Sequence, residues 1–351
     1  MGHGQDHRIT ELFGIELPII QAPMAGATTP EMVIATCEAG GLGSLPGALL
    51  SVEQMRAAMD QVRAATRKPV NLNFFVHAAP SADPARQQAW RSALAPYYAE
   101  LGLDPAMPVS SSARAPFDDA YCAIVEDYRP AVVSFHFGLP VPDLLARVKR
   151  TGARVIASAT TVTEARWLER HGVDAVIAMG FEAGGHRGNF LTDDMASQVG
   201  TMALVPQVVD AVSVPVIAAG GIGDRRGVRA AFALGASAVQ VGTAYLFTPE
   251  AKVTPFHREA LKTARDDGTA LTNVFTGRPA RGIYNRLMRE LGPLSPVAPS
   301  FPTAGGALLP LRGVTEKQGR SDFSSQWSGQ AAALVREMSS AELTRYLGTE
   351  P

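Results

Sequence analysis

A histidine set among glycines follows a stretch that has the pattern of a buried strand. Residues 174–178, Asp-Ala-Val-Ile-Ala, are mostly apolar and include β-branched side chains, as such strands do. Gly184, Gly185 and Gly188 then bracket His186. Glycine lets the backbone approach a ligand closely, and an imidazole can exchange a proton near neutral pH. The pattern predicts that His186 faces a bound molecule; the alternative is a tight turn with a surface histidine.

Two further glycine-rich loops follow later apolar runs. Gly220 and Gly221 come after one run, with a helix expected to begin near Arg225, and Gly242 and Thr243 come after the next. Backbone N–H groups in such loops, together with a helix N-terminus, commonly hold phosphate in α/β barrels. These four residues are therefore the predicted phosphate site, although any one glycine alone could be an ordinary loop residue.

Polar and flexible side chains end two of the earlier runs. The first apolar run, residues 17–22, leads into the turn Pro-Met-Ala-Gly at residues 23–26. The third apolar run, residues 69–76, contains Asn71 and Asn73. Asparagine amides offer donors and acceptors to a planar heterocycle, while Met24 could equally fill the core and the asparagines could form turns. Together with the glycine loops, these positions predict a site for flavin mononucleotide (FMN), with its phosphate in the glycine loops and its ring over the barrel mouth.

Eight short apolar runs must position these residues. Where nothing is inserted they begin about 21 to 28 residues apart, the length of one strand and its helix, and they lack strict alternation, as parallel strands covered on both faces do. This indicates an α/β fold, a (β/α)8 TIM barrel, with a doubly wound open sheet as the alternative. The runs are residues 17–22, 41–45, 69–76, 131–135, 154–157, 175–178, 214–219 and 238–241.

Insertions interrupt the repeat after the third, sixth and eighth runs, at residues 77–116, 189–201 and 245–312. Insertions at the carboxyl end of a barrel commonly form lids, so the first and third are expected to cover the site. The expected division is a barrel over residues 1–244 with an insertion at about 77–116, a substrate-binding or lid region over 245–312, and C-terminal helices over 313–351 that pack on the barrel.

The composition excludes several classes of function. The 351 residues are 46% hydrophobic, enough for a large core, and their formal net charge of −1 offers no surface for nucleic acid or anionic membrane. Two cysteines, both in helical patterns, fit packed thiols in a reducing compartment. The first residues lack the pattern of a signal peptide, and no apolar run reaches the ~20 residues of a membrane span. We therefore expect a cytoplasmic protein that acts on a small molecule as a monomer or homodimer.

Six motifs resemble one family. They are Gln-Ala-Pro-Met-Ala-Gly at 21–26, Asn-Leu-Asn-Phe-Phe at 71–75, Phe-His-Phe-Gly-Leu-Pro at 135–140, Glu-Ala-Gly-Gly-His-Arg-Gly at 182–188, Ala-Ala-Gly-Gly-Ile at 218–222 and Gln-Val-Gly-Thr at 240–243. The chain is similar in these motifs to the FMN-dependent nitronate monooxygenases, formerly 2-nitropropane dioxygenases. The likeness covers nearly the whole chain, including Phe301-Pro302 and residues 327–330. The second and third motifs favour class I of the family.

The resemblance implies residue roles. His186 matches the catalytic base, and Asn73 rather than Asn71 matches the family's asparagine after strand three. One departure is Met179, where the family often has glutamine. The residues expected to contact FMN are Ala22, Pro23, Met24, Ala25, Gly26, Asn73, Gly184, Gly185, Ala219, Gly220, Gly221, Ile222, Gln240, Val241, Gly242 and Thr243.

Three other side chains near the glycine-histidine motif need an interpretation. His136 either reaches the substrate from the end of strand four or is a hydrogen-bonded core histidine, and Arg187 either steers an anionic substrate or pairs with a carboxylate. Glu182 stands four residues before His186, but the glycines between them argue against a helix and no third ligand has suitable spacing. No metal is therefore expected.

The implied reaction is oxidation of alkyl nitronates by O2 to carbonyl compounds and nitrite, with propionate 3-nitronate as the expected substrate and nitroalkanes as possible ones. His186 would anchor the anionic nitro group when protonated, or remove the α-proton of a nitroalkane when neutral. Because FMN-dependent enoyl-ACP reductases share the glycine-histidine motif, a reductase using NAD(P)H is the alternative. A flavin-binding barrel without turnover is a third reading.

Overall fold

Eleven strands form two sheets in the computed structural model, which describes residues 6–108 and 114–349. Part of the Pro/Ser-rich stretch of the first insertion thus lies outside the described residues. The strands are β1 (Ile19–Gln21), β2 (Gly43–Pro46), β3 (Val70–Phe75), β4 (Val132–His136), β5 (Arg154–Ala159), β6 (Ala175–Met179), β7 (Gly185–His186), β8 (Val216–Ala219), β9 (Ala238–Val241), β10 (Thr269–Thr272) and β11 (Ala280–Ile283).

The larger sheet is a closed parallel barrel. Its eight strands follow the order β1-β9-β8-β6-β5-β4-β3-β2. Closure comes between its two end strands, where the Gln21 N–H donates to Leu42 O at 2.9 Å and the Leu42 N–H donates to Ile19 O at 2.9 Å. An open sheet would leave those edges unpaired. The predicted (β/α)8 barrel is therefore confirmed.

Helices follow most barrel strands and cover the barrel. Several are capped by side chains at their first residues: the Ser51 hydroxyl and the Gln54 side chain form a reciprocal capping box, and the Asp224 carboxylate accepts from the Arg226 N–H at 2.9 Å. The α-helices are α1 (Arg8–Phe13), α2 (Pro30–Glu38), α3 (Val52–Ala65), α4 (Pro84–Glu100), α5 (Asp119–Tyr128), α6 (Pro142–Arg150), α7 (Val162–Arg170), α8 (Thr201–Val209), α9 (Arg225–Ala233), α10 (Pro255–Lys262), α11 (Arg286–Glu290), α12 (Leu309–Lys317) and α13 (Ser340–Gly348).

The interior of the barrel changes from apolar to polar along its axis. At one end, Ile9 and Phe13 of α1 share a buried cluster with strand residues such as Ile156 and Ile217. Above this cluster lie small polar side chains, where the Asn71 amide donates to Ser134 Oγ at 2.9 Å. The apolar layer fills the amino-terminal end, which leaves the carboxyl end, where active sites of this fold lie, as the polar end of the barrel.

The first and third insertions share a second hydrophobic core. Trp90 of α4 is 1% exposed, and its indole N–H donates to Ala304 O at 3.0 Å. Tyr98 donates to Ala307 O at 2.6 Å. Helix α12 also packs in this core and spans residue 312. The division into three regions stays a prediction.

The C-terminal stretch contributes one α-helix to the barrel. Leu343 and Leu347 of α13 pack in the same core as the barrel strands, and the hydroxyls of Thr344 and Tyr245 hydrogen-bond at 2.7 Å. The described residues contain no helix with the length and apolar character that crossing a membrane requires.

Candidate active site

The carboxyl ends of the barrel strands open into a cavity of about 210 Å³. Most residues expected at the site line it, namely Ala22, Pro23, Met24, Ala25, Asn73, His136, Gly184, Gly185, His186, Ala219, Gly220, Gly221, Ile222, Gln240, Gly242 and Thr243. Three others do not line it. Val241 is 1% exposed because strand alternation turns it into the core outside the barrel, Gly26 lies in the turn that follows Met24, and Arg187 is fully buried.

A short antiparallel pairing holds His186 over the barrel mouth. Strand β7 pairs with β11, with His186 opposite Ala280, and the Arg187 N–H donates to Pro279 O at 2.9 Å. Aromatic rings surround the imidazole, with Phe301 at 5.4 Å, Trp327 at 5.6 Å and Phe75 at 5.9 Å between ring centroids. A two-residue strand has no sequence pattern, so only the fold reveals it.

The environment of His186 favours the neutral imidazole. Burial, followed by the positive charges of Arg114 and other nearby groups, lowers the pKa of His186 well below its usual value. Both burial and like charge disfavour the protonated form. At neutral pH the ring is therefore uncharged, with one nitrogen able to accept a proton. His186 Nε2 lies 3.0 Å from Thr276 Oγ1.

His136 lines the cavity and supports His186 through hydrogen bonds at both ring nitrogens. Its Nε2 lies 3.2 Å from the backbone carbonyl of His186, and its Nδ1 lies 3.2 Å from Ser158 Oγ. Because a carbonyl only accepts, Nε2 carries the proton and Nδ1 accepts from the Ser158 hydroxyl. Burial lowers the pKa of His136 to about 3, so the ring is neutral. It matches the hydrogen-bonded core histidine.

Arg187 also has a different environment from the one expected. Its side chain is fully buried, and its guanidinium donates to Gly180 O at 2.6 Å, to Met179 O at 2.9 Å and to Gln198 Oε1 at 2.9 Å. Among the described residues no carboxylate forms an ion pair with it, and it does not line the cavity; its expected contact with a substrate stays a prediction. Arg187 satisfies two carbonyls where the chain leaves β6.

The glycine loops form a cradle lined by backbone. Gly220 and Gly221 have φ values of +103° and +72°, a region that L side chains rarely adopt. A Cβ on Gly184 would lie 2.5 Å from the backbone nitrogen of Gly329. The Gly329 N–H in turn donates to Thr243 Oγ1 at 2.9 Å. The loops are close enough that only glycine fits, which suits a phosphate bound by backbone N–H groups.

An unsatisfied amide points to a hydrogen-bonding ligand beside this cradle. Gln240 lines the cavity, and its buried Oε1 has no partner among the described residues. Asn73 also lines the cavity, with its amide held by Ser134 Oγ at 3.0 Å, whereas Asn71 lies below in the polar layer. A buried acceptor without a donor is costly, so a ligand N–H at Gln240 would be stabilising. The cradle and this amide fit the phosphate and the ring of a flavin.

Several cavity residues escaped the sequence reasoning. Arg114 follows the Pro/Ser-rich stretch and His257 lies on α10, and neither belongs to a recognisable motif. Residues 327–329 were expected near a closing helix but enter the cavity as an extended segment. The resemblance of residues 327–330 to the family was the signal in the sequence that could have placed them at the site.

Glu182 has a structural role. Its carboxylate accepts from the N–H and the hydroxyl of Thr201, each at 2.8 Å. In residues 6–108 and 114–349 no cluster of three or more His, Cys, Asp or Glu side chains is arranged to hold a metal ion.

Comparisons with known proteins agree with this geometry. The family model for nitronate monooxygenase matches residues 6–350. A nitronate monooxygenase of Pseudomonas aeruginosa is 45% identical over 345 residues, which cover 98% of each chain. The solved structure of nitroalkane oxidase from Streptomyces ansochromogenes is 37% identical with a TM-score of 0.87, covering 97% of this chain and 96% of its own. FabK from Thermotoga maritima is 30% identical with a TM-score of 0.71, covering 97% and 94%. The chain therefore belongs to the nitronate monooxygenase family.

Proposed function

We propose that this enzyme oxidises alkyl nitronates with O2 to carbonyl compounds and nitrite, using FMN, and that propionate 3-nitronate is a substrate. The observation that carries the proposal is His186, whose pKa is lowered by burial, at the wall of a cavity that also contains a glycine cradle and the unpaired Gln240 amide. Family membership supports the reaction class.

FMN is the cofactor that this cavity suits. Its phosphate would be held by the backbone of Gly220, Gly221, Gly242 and Thr243, and the Gln240 amide would accept from its ring. Bound FMN supplies the electron-accepting chemistry that oxidation of a nitronate requires. Met179 lines the same wall and offers no amide of its own there.

His186 would handle the proton and the charge of the substrate. With a neutral nitroalkane, the unprotonated ring nitrogen takes the α-proton. With a nitronate the carbon is already deprotonated, so the ring only has to orient the nitro group. A bound anion favours the protonated imidazole, which can then donate a hydrogen bond to a nitro oxygen. The positive charge of the cavity residue Arg114 would attract such an anion.

The aromatic wall would keep water away from the reacting carbon. Phe75, Phe137 and Phe301 pack against one another with centroid distances of 4.9 Å to 6.4 Å, and Trp327 closes the side next to His186. A dry cavity strengthens each electrostatic contact made inside it.

Absorbance spectroscopy of the purified protein tests the function. Flavin bands that bleach on anaerobic mixing with propionate 3-nitronate, followed by nitrite once air is admitted, are the expected result. Fast bleaching by NADPH and indifference to nitronate would establish the alternative of an enoyl-ACP reductase instead. A colourless protein that cannot be reconstituted with FMN would contradict both activities.

A further inference from the structure

The hydroxyl of Thr276 lies between the His186 ring and a backbone carbonyl. Thr276 Oγ1 is 3.0 Å from His186 Nε2 and 3.3 Å from Arg278 O. Thr276 is 1% exposed, so water does not compete for these contacts. The sequence gives no hint of this contact, because ninety positions separate the two side chains.

The chemistry of the three groups decides where the protons lie. A carbonyl oxygen can only accept, and a hydroxyl has one proton to give. Both contacts are hydrogen bonds at once only when the Thr276 proton goes to Arg278 O and Oγ1 presents a lone pair to His186. The ring can complete that contact only if Nε2 carries its proton. In the neutral ring this leaves Nδ1 with the lone pair.

Thr276 is held firmly enough to impose this choice. The Gly277 N–H donates to Asn273 O at 2.7 Å, which closes the turn that carries Thr276. On the other side, the pairing of His186 with Ala280 and the bond from Arg187 N–H to Pro279 O fix this turn against β7. The histidine and the threonine thus lie on two segments joined by backbone hydrogen bonds, so their separation does not depend on flexible side chains.

Nδ1 is the ring nitrogen that remains for the cavity. Among the described residues no side chain or backbone group hydrogen-bonds to it, and His186 lines the cavity. When the ring is protonated, the contact from Nε2–H to Thr276 persists and Nδ1–H becomes the donor toward the substrate. The same nitrogen faces the substrate in both protonation states.

We propose that Thr276 is a positioning residue that fixes neutral His186 as its Nε2–H tautomer and thereby makes Nδ1 the nitrogen that exchanges the substrate proton. The choice of tautomer stands on geometry alone, whereas the use of Nδ1 in turnover rests on the proposed function.

Nuclear magnetic resonance of the FMN-loaded protein tests the tautomer directly. Isotope-labelled histidine gives ring nitrogen and Cδ2 chemical shifts that distinguish the two neutral forms, and the signal missing from His186→Asn identifies His186 among the seven histidines. We expect the Nε2–H form in the unmodified protein. An Nδ1–H form would overturn the proposal without any variant of Thr276.

Substitution of Thr276 tests whether the hydroxyl is the cause. Thr276→Val keeps the shape and removes the acceptor, so we expect a mixture of tautomers, while Thr276→Ser should restore the Nε2–H form. Thr272→Val is the matched control, because Thr272 is fully buried on β10 and, among the residues that the structure describes, its hydroxyl accepts from the Val274 N–H alone. An unchanged His186 signal in folded Thr276→Val would refute the role of Thr276.

Kinetics then test the use of Nδ1. A general base contributes roughly 100-fold or more to a rate, so a ring with its proton on the wrong nitrogen should lose at least about tenfold in kcat/KM for nitroethane. Loss on propionate 3-nitronate should be smaller, and Thr276→Ser should recover most of the nitroethane rate. Equal losses on both substrates would overturn the use of Nδ1. Failure of the unmodified protein to oxidise nitronates would refute the proposed function and leave the tautomer measurement interpretable.

Discussion

At the scale of single residues, His186 combines a neutral ring with a positively charged neighbourhood. Arg114 and Arg278 both lower its pKa, after burial, and Arg278 itself stacks on Phe137 at 4.1 Å. Such a setting disfavours a standing positive charge on the ring but attracts an anion to the cavity. The neutral ring of His186 therefore suits a base that removes a proton from an uncharged substrate. The nearby positive charges allow the same cavity to bind an anionic substrate.

Replacing His186 should separate these two substrates. In His186→Asn we expect FMN to remain bound, since the cradle is formed by glycine backbone and not by the His186 side chain. The value of kcat/KM for neutral nitroethane should fall about 100-fold or more, because asparagine cannot take the proton. The value for propionate 3-nitronate should fall much less. Oxygen-uptake kinetics with both substrates measure this, and equal losses would contradict the role of His186 as a base.

Gly184 offers a second test at this scale. In Gly184→Ala the added Cβ would lie 2.5 Å from Gly329 N and 2.7 Å from the carbonyl carbon of Ser328, so backbone must move and the cradle must open. We expect the Kd for FMN to rise at least about tenfold, equivalent to about 1.4 kcal/mol. Fluorescence titration of the flavin-free protein measures it. Gly313→Ala on α12 is the control, since its Cβ would meet nothing within 4 Å; equal Kd values in the two variants would contradict the cradle.

At the scale of elements, the site depends on two insertions that share one core. Helix α4 comes from the first insertion, and Thr276, Phe301 and the pairing partner of His186 come from the third. Beyond the hydrogen bonds of Trp90 and Tyr98, Arg286 contacts Glu100 at 2.7 Å across the two insertions. Packing between the insertions therefore determines the position of Phe301 in the aromatic wall beside His186.

Removing Trp90 should loosen this core while leaving the barrel folded. Truncating a buried tryptophan costs about 3–5 kcal/mol. In Trp90→Ala we expect faster amide hydrogen exchange in residues 274–323, unchanged exchange in the barrel strands, and a lower kcat/KM. The control is Trp167→Ala, since Trp167 lies on α7 and stacks on His171 at 3.8 Å. Amide hydrogen exchange that rises equally in the barrel strands and in the insertions would show that the two hydrophobic cores do not unfold independently.

At the scale of the whole molecule, buried histidines make stability depend on pH. Burial lowers the pKa of His136 to about 3 and that of His257 to about 4. Between these values and the ordinary value of about 6.5, the unfolded chain binds protons that the folded chain does not. The free energy of unfolding should therefore be highest above about pH 6.5 and decrease as the pH falls below it.

Urea unfolding at pH 7 and pH 5 measures this effect. One such group contributes about 1.4 kcal/mol per pH unit within its window, so His136 accounts for about 2 kcal/mol between pH 6.5 and pH 5. In His136→Gln the decrease in the free energy of unfolding from pH 7 to pH 5 should be smaller by about 2 kcal/mol, whatever the stability of the variant at pH 7. His257→Gln should reduce the loss independently. The same decrease in all three proteins would show that other groups govern acid stability.

Much of the barrel and most of its glycine loops follow from local sequence. Apolar runs without alternation predict buried parallel strands, and Ser51 and Asp224 mark helix starts by their own capping chemistry. Repetition of the strand-helix unit then predicts closure and brings the loops after β8 and β9 together. His186, Gly220 and Gln240 could be expected at one site because barrel strands all end at the same mouth.

Only the tertiary structure decided which contacts each polar side chain makes at the barrel mouth. His136 and Arg187 follow strands as catalytic residues do, yet their nitrogens are occupied by Ser158, by Gln198 and by backbone carbonyls. Arg114 and Thr276 lie far from His186 in sequence and carry no pattern of their own. Local sequence determines which elements form because propensity, capping and periodicity act over a few residues. Hydrogen-bond partners, tautomers and pKa values depend on contacts between distant segments, which exist only after the chain has folded.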